Sequence, residues 1–161
     1  VAGREYPERP LVGVGVVVWR GDAVLMVRRA KAPLLGALSF PGGGQRLGET
    51  VEGCARRELM EETGVEVGVL RIAAYADVID RAEHGAVRFH YTVLDLVGDW
   101  VSGEPLAGGD VSEALFLTVS ELEPAGIDAA HLAVVMRSKG WPSAGSGAAP
   151  LALIAAAPLL R

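Results

Sequence analysis

The chain has 161 residues, 50% of them hydrophobic and 22% charged, with a net charge of −5. That balance suits one folded domain with room for a core, and it excludes the basic footprint that a general nucleic-acid surface requires. Cys54 is the only cysteine, which excludes an internal disulfide and a cysteine-held zinc site.

Residues 1–10, VAGREYPERP, are polar with two prolines and read as a loose lead-in rather than a signal peptide. Leu11 to Trp19 is β-branched and reads as a buried strand. Gly21-Asp22 makes a tight turn into a second strand, AVLMVRR, giving a hairpin. Lys31 to Leu38 is a loop, and Pro41-Gly42-Gly43-Gly44 is a break. A helix is predicted from an N-cap at Thr50 to Thr63, stopped by Gly64. The stretch from Val65 to Ile79 is strand-like with a bend at Gly68, and Arg81 to Gly85 is a turn. In AVRFHYTVLDLVG, Val87, Phe89, Tyr91 and Val93 share one face of a strand. Trp100 to Asp110 is a Gly-rich loop, EALFLTV a further strand, and SELEPAGI a short helix. A last helix runs from a cap at Asp128 to Lys139, with His131 on its surface. The Ala/Gly/Pro-rich tail that follows carries no charge until Arg161 and is read as doing no chemistry, either loosely ordered or laid over the body. The order strands, helix, strands, helix indicates an α/β (α+β) domain with a central mixed sheet and helices on its faces.

The first helix carries most of the information. With Glu58 at the centre of a face, Glu61 lies about 60° to one side and Glu62 about 40° to the other. Three carboxylates then project into one patch, while Val51, Ala55 and Leu59 form the stripe that packs on the sheet. Like charges at this spacing destabilise a helix by about 0.2–0.5 kcal/mol per pair. The bland reading is a solvated acidic face. The sharper one is a site for a hard divalent cation, because Mg²⁺ and Mn²⁺ prefer oxygen ligands. A glycine-rich entry lets backbone come close to a metal or phosphate, and Glu49 is placed to pair with Arg57 and hold that turn. The chemistry that fits is hydrolysis of a phosphoanhydride.

Gly43, Glu49, Arg57-Glu58, Leu59, Glu61-Glu62, Gly64 and Val65 follow one spacing pattern in full. This resembles the signature of the Nudix hydrolases. Chance agreement at its polar and glycine positions is on the order of 10⁻⁸ per start site, from average residue usage. The flanking elements are similar to the Nudix α/β/α sandwich over residues 11–140, with 1–10 as lead-in and 141–161 as tail.

The resemblance implies Mg²⁺- or Mn²⁺-dependent hydrolysis of a nucleoside diphosphate linked to another group. Carried over by position, Glu58, Glu61 and Glu62 with the carbonyl of Gly42 are the metal ligands. Arg57 and Glu49 become the pair that orients the loop and helix. The base is either Glu58 or an acid on a distant loop, among Glu104, Asp110 and Glu113, with Asp110 and Glu113 favoured. Arg28, Arg29 and Gly43 are candidates for contact with a small-molecule nucleotide. The flanks are most similar to the branch that includes ADP-ribose pyrophosphatases, although no proline stands between Val65 and Glu104 and Leu38 replaces a tryptophan common before the glycine turn. A (deoxy)nucleoside triphosphate pyrophosphatase and a non-catalytic nucleotide sensor are the alternatives. The sequence leads to a cytoplasmic protein without membrane or nucleic-acid partners. The resemblance adds a homodimer, for which no interface stripe is legible.

Overall fold

The computed structural model describes residues 3–31 and 34–139 and the backbone of 151–153. Strands β1 (Leu11–Arg20) and β2 (Ala23–Arg29) form the hairpin. Two short strands follow, β3 (Leu38–Ser39) and β4 (Gly42–Gly44), then helix α1 (Val51–Thr63). Next come β5 (Glu66–Val67), β6 (Arg71–Arg81), β7 (Val87–Ser102) and β8 (Val111–Thr118). Helices α2 (Val119–Ala125) and α3 (Ala129–Ser138) and a short strand β9 (Leu151–Leu153) complete the order.

The sheet is mixed. β1 runs parallel to β7, while β1–β2, β2–β8 and β6–β7 pair antiparallel. Alternation along β1 assigns its side chains to two layers. Val14, Val16 and Val18 point toward α1 and pack with Leu25, Cys54, Ala55, Leu59 and Leu96. Val17 and Trp19 point the other way, into a core with Val24, Met26, Phe40 and Val97 beneath α2 and α3. Trp19 donates its indole N–H to Ser138 Oγ at 3.0 Å, which ties α3 to the central strand. The result is a sheet sandwiched between helices.

The predicted caps of α1 are present. Thr50 accepts from Gly53 N–H at 2.9 Å, and Gly64 closes the helix in the left-handed region at φ 69°, with its N–H on Met60 O. Several expectations are corrected. The glycine break is a paired strand, with Gly43 opposite Val14 and Gly42 opposite Gly15. Any Cβ on Gly42 would stand 2.9 Å from Gly15 Cα, so only glycine allows the two strands to approach this closely. The loop expected from Trp100 begins later, because β5 pairs with Trp100 and Ser102 and prolongs β7. The lead-in is not loose throughout, since Tyr6 N–H bonds Arg88 O at 2.8 Å and Glu5 pairs with Arg88 at 3.0 Å. Of the tail, Leu151–Leu153 pairs parallel with β6, and the rest lies outside the described residues.

Candidate active site

Helix α1 packs Ala55 and Leu59 on the sheet at 0% and 1% exposure, which fixes its rotation. The acidic residues then face the glycine strand β4 and the loop before β8. Arg57 organises the entry. Its Nε and Nη2 bond both oxygens of Glu49, at 2.7 and 3.0 Å, in the paired geometry that suits a guanidinium and a carboxylate. Nη2 also reaches Gly44 O at 3.2 Å, and Glu49 accepts from Arg46 N–H at 3.0 Å. These bonds lock the loop between β4 and α1. The Arg57 hydrogen bond, helped by the Arg46 N–H, holds the Glu49 carboxyl down at about 2.

The third guanidinium nitrogen turns toward the acidic patch. Arg57 Nη1 bonds Glu58 at 2.7 Å and Glu61 at 3.3 Å. Glu61 also stands 3.9 Å from Arg46. Glu62 points into the fold and accepts the Gly42 N–H at 2.9 Å. Only 9% exposed, its carboxyl is pushed up to about 7 by burial, against the Gly42 hydrogen bond; the charge of Glu58 adds to the rise.

The expected single patch is therefore divided. Among the described residues no three acid, histidine or cysteine side chains stand close enough to hold one ion. Arg57 draws Glu58 and Glu61 to one side and the Gly42 N–H draws Glu62 to the other. The donor set nonetheless suits a hard divalent cation. Glu58 Cδ lies 2.5 Å from where a Cβ on Gly43 would stand, so the glycine strand forms a cradle that any side chain would fill. Glu58, Glu61, Glu62 and the Gly42 carbonyl offer oxygen ligands alone, which is the preference of Mg²⁺ and Mn²⁺.

The two adjacent arginines of β2 separate. Arg28 shares a face with Val24 and Met26, away from α1. Its guanidinium is committed to Glu113 at 3.0 Å, Gly36 O at 3.3 Å and Ala125 O at 2.9 Å. Arg29 shares the α1 face, where its charge acts on Glu62 and Asp110; its Nε is buried without a hydrogen-bond partner.

The acids expected on a distant loop separate likewise: Glu104 and Asp110 lie in the loop, but Glu113 stands within β8, opposite Arg28 on β2. Glu104 pairs with Arg20 at 3.1 Å, beside the Phe116 ring. Glu113 is held by Arg28. Of the three, Asp110 is the one whose charge helps raise Glu62. Backbone bonds seat its loop: Gly108 N–H bonds Glu62 O and Leu106 N–H bonds Thr63 O, both at 3.0 Å. A Cβ on Gly108 would meet Glu61 O at 2.7 Å, so this glycine lets the loop lie on the end of α1. Lys31 sits 2.5 Å from Asp110 and holds its carboxyl below the usual range.

Sequence reasoning missed a second set of buried polar groups, on the opposite face of the sheet. His131 is not a plain surface residue. Its ring meets Phe40 edge-on at 4.9 Å, and Nδ1 lies 2.7 Å from Asp128. Asp95, also 9% exposed, faces Gly15, which has no room for a side chain beside it. Burial raises the Asp95 carboxyl, against the charge of His131. Burial pulls His131 down, but the Asp128 hydrogen bond and the charges of Asp128 and Asp95 outweigh it and raise the imidazole. No local pattern marks these residues; only the strand period, with Asp95 in phase with Val97, carried a trace of it.

Known proteins share this plan. The NUDIX domain family model matches residues 9–137. An ADP-ribose pyrophosphatase from Methanocaldococcus jannaschii is 33% identical over 132 residues, covering 82% of this chain and 75% of that protein. A MutT NUDIX hydrolase from Burkholderia pseudomallei superposes with a TM-score of 0.70 at 26% identity, over 81% of this chain and 98% of that one. The NUDIX domain of Shewanella oneidensis NrtR, solved with ADP ribose, shares the fold with a TM-score of 0.68 at 19% identity, over 82% and 88% of the two chains. With the signature seated on α1, the glycine strand beneath it and the family model spanning nearly the whole described domain, this chain belongs to the Nudix hydrolases and is a pyrophosphohydrolase.

Proposed function

We propose that the enzyme hydrolyses the diphosphate of a nucleoside diphosphate sugar such as ADP-ribose, with Mg²⁺ or Mn²⁺ as cofactor. The observation that carries the site is the Glu58 carboxylate seated against Gly43, with Glu62 on the adjoining Gly42 N–H. The substrate class is supported by the M. jannaschii relative named as an ADP-ribose pyrophosphatase and by the NrtR domain solved with ADP ribose.

Glu58, Glu61 and Glu62, with the carbonyl of Gly42, are the residues that would hold the cation. When bound, a divalent cation neutralises the diphosphate and lowers the pKa of water at the site. Arg57 and Glu49 keep the glycine strand and α1 in register, so that the carboxylates meet the substrate already oriented. Asp110 takes the proton of the attacking water. Of the three candidate acids it is the one whose charge acts on Glu62, and Lys31 keeps it ionised. Arg29 contacts a phosphoryl oxygen, which would satisfy its unpartnered buried nitrogen.

The test is product analysis with purified protein and Mg²⁺ across ADP-ribose, other NDP-sugars, dinucleoside polyphosphates and (d)NTPs. AMP from ADP-ribose is the expected result. Pyrophosphate released from a triphosphate in preference would replace the substrate reading, and tight nucleotide binding without turnover would make the protein a sensor.

A further inference from the structure

The lead-in before β1 brings a cation to the active site. Its path is fixed by contacts with the β6–β7 turn and the start of β7. Tyr6 adopts φ 50°, a left-handed conformation uncommon for a bulky residue, and turns the chain sharply. The Tyr6 N–H holds Arg88 O at 2.8 Å, the Tyr6 ring stacks on His84 at 6.3 Å, and Glu5 pairs with Arg88 at 3.0 Å. With residues 5 and 6 tied down, Arg4 reaches back over the glycine strand. Its Nη2 comes within 4.0 Å of the position a Cβ on Gly44 would take. Its charge also acts on Asp110.

Arg4 differs from three other cations around the site. Arg57 is bound by Glu49, Glu58 and Gly44; Lys31 is paired with Asp110, and Arg46 with Glu61. Arg4 makes no hydrogen bond or ion pair among the described residues, so its donors are uncommitted beside the cradle. A guanidinium so placed matches the paired oxygens of a phosphoryl group. We infer that Arg4 is a substrate-binding residue, which closes over the site between Gly44 and Asp110 and takes oxygens of the substrate's diphosphate. The inference rests on the hydrolase reading of the same site. On it the lead-in belongs to the binding machinery, and the Glu5–Arg88 and Tyr6–His84 contacts are positioning contacts.

Steady-state kinetics on ADP-ribose with Mg²⁺ and calorimetric titration with inorganic pyrophosphate, each on the full chain, test it together. Arg4→Ala is expected to raise KM and the pyrophosphate Kd about tenfold, with kcat within about twofold and an unchanged melting temperature. Arg4→Lys keeps the charge without the fork and should recover part of the loss. Arg88→Ala, which releases the tether, should shift KM and Kd in the same direction by a smaller factor. Arg9→Ala removes an equal charge from the same segment and should leave both constants at wild-type values. Wild-type KM and Kd in Arg4→Ala, or equal losses in Arg9→Ala, would overturn the assignment, as would a wild-type protein that binds no pyrophosphate. Should the wild type turn over no nucleotide, the hydrolase reading fails, and the pyrophosphate titration of Arg4→Ala still decides the role of Arg4.

Discussion

The two faces of the sheet each bury a carboxylate beside a glycine, and they treat it differently. On the α1 face, Glu62 accepts the backbone N–H of Gly42 and lies within the field of Arg29, with the charges of Glu58 and Asp110 opposing it. On the α3 face, Asp95 lies within the field of His131, which Asp128 holds in turn at 2.7 Å. A buried acid with a cationic neighbour is a structural arrangement, because the pair lowers the cost of leaving water. A buried acid whose cationic neighbour is offset by further carboxylates keeps more of that cost, as Glu62 does beside Glu58 and Asp110. The contrast is one of balance: two carboxylates and one cation act on Glu62, whereas Asp95 is met by the charge of His131 alone.

The largest test of that contrast is Glu58→Gln, on the α1 face. It should lower kcat by about 10²–10⁴-fold, the range for loss of a positioned acid–base or ligand carboxylate, while the melting temperature holds. Wild-type turnover in this variant would remove Glu58 from the site.

The two favoured candidate bases come next. Asp110→Asn should lower kcat by about 10²-fold, and Glu113→Gln should act mainly on stability, because its carboxylate is committed to Arg28. If the two variants exchange these effects in kinetics and melting, the base lies on Glu113 instead.

Glu62 predicts a pH dependence in the metal-free protein. Its folded-state carboxyl titrates at about 7, above the ordinary 4.5, so the folded protein binds the extra proton. That contribution is fully present below about pH 4.5 and is lost as pH rises through 7. The loss amounts to up to about 3 kcal/mol. Denaturant unfolding in chelator at pH 5, 6, 7 and 8 measures it, and Glu62→Gln should flatten the slope. The unaltered slope in that variant would place the titrating group elsewhere.

The smallest effect belongs to the α3 face. Asp128→Ala removes the N-cap bond to His131 N–H at 2.8 Å and should cost about 1 kcal/mol in urea unfolding. Its kcat should fall less than that of any α1-face variant above. A loss rivalling Glu58→Gln would mean that the two faces act as one site.

Much of the α1 face was legible because its determinants are close in the chain. Thr50 and Gly64 cap their own helix, Glu49 finds Arg57 two turns on, and the stripe of Ala55 and Leu59 sets which side faces outward. The twist of that patch was not legible. The helical wheel gathers Glu58, Glu61 and Glu62 equally, whereas the neighbouring strand supplies a donor at Gly42 that takes Glu62 alone.

What the sequence by itself determined is the set of local elements and the chemistry of the signature: the hairpin, the capped acidic helix, the glycine approach and the family they indicate. Short-range periodicity and capping need no distant partner. Only the tertiary structure decided which of two adjacent arginines acts on Glu62, which of three candidate acids does so, and that the lead-in brings Arg4 beside Gly44. Those choices depend on pairing across the chain, as between Arg28 and Glu113 on β2 and β8, and on a bulge between Arg28 and Arg29. A strand shifted by one residue turns every side chain to the opposite face, so register, which is settled only when the sheet assembles, assigns these roles.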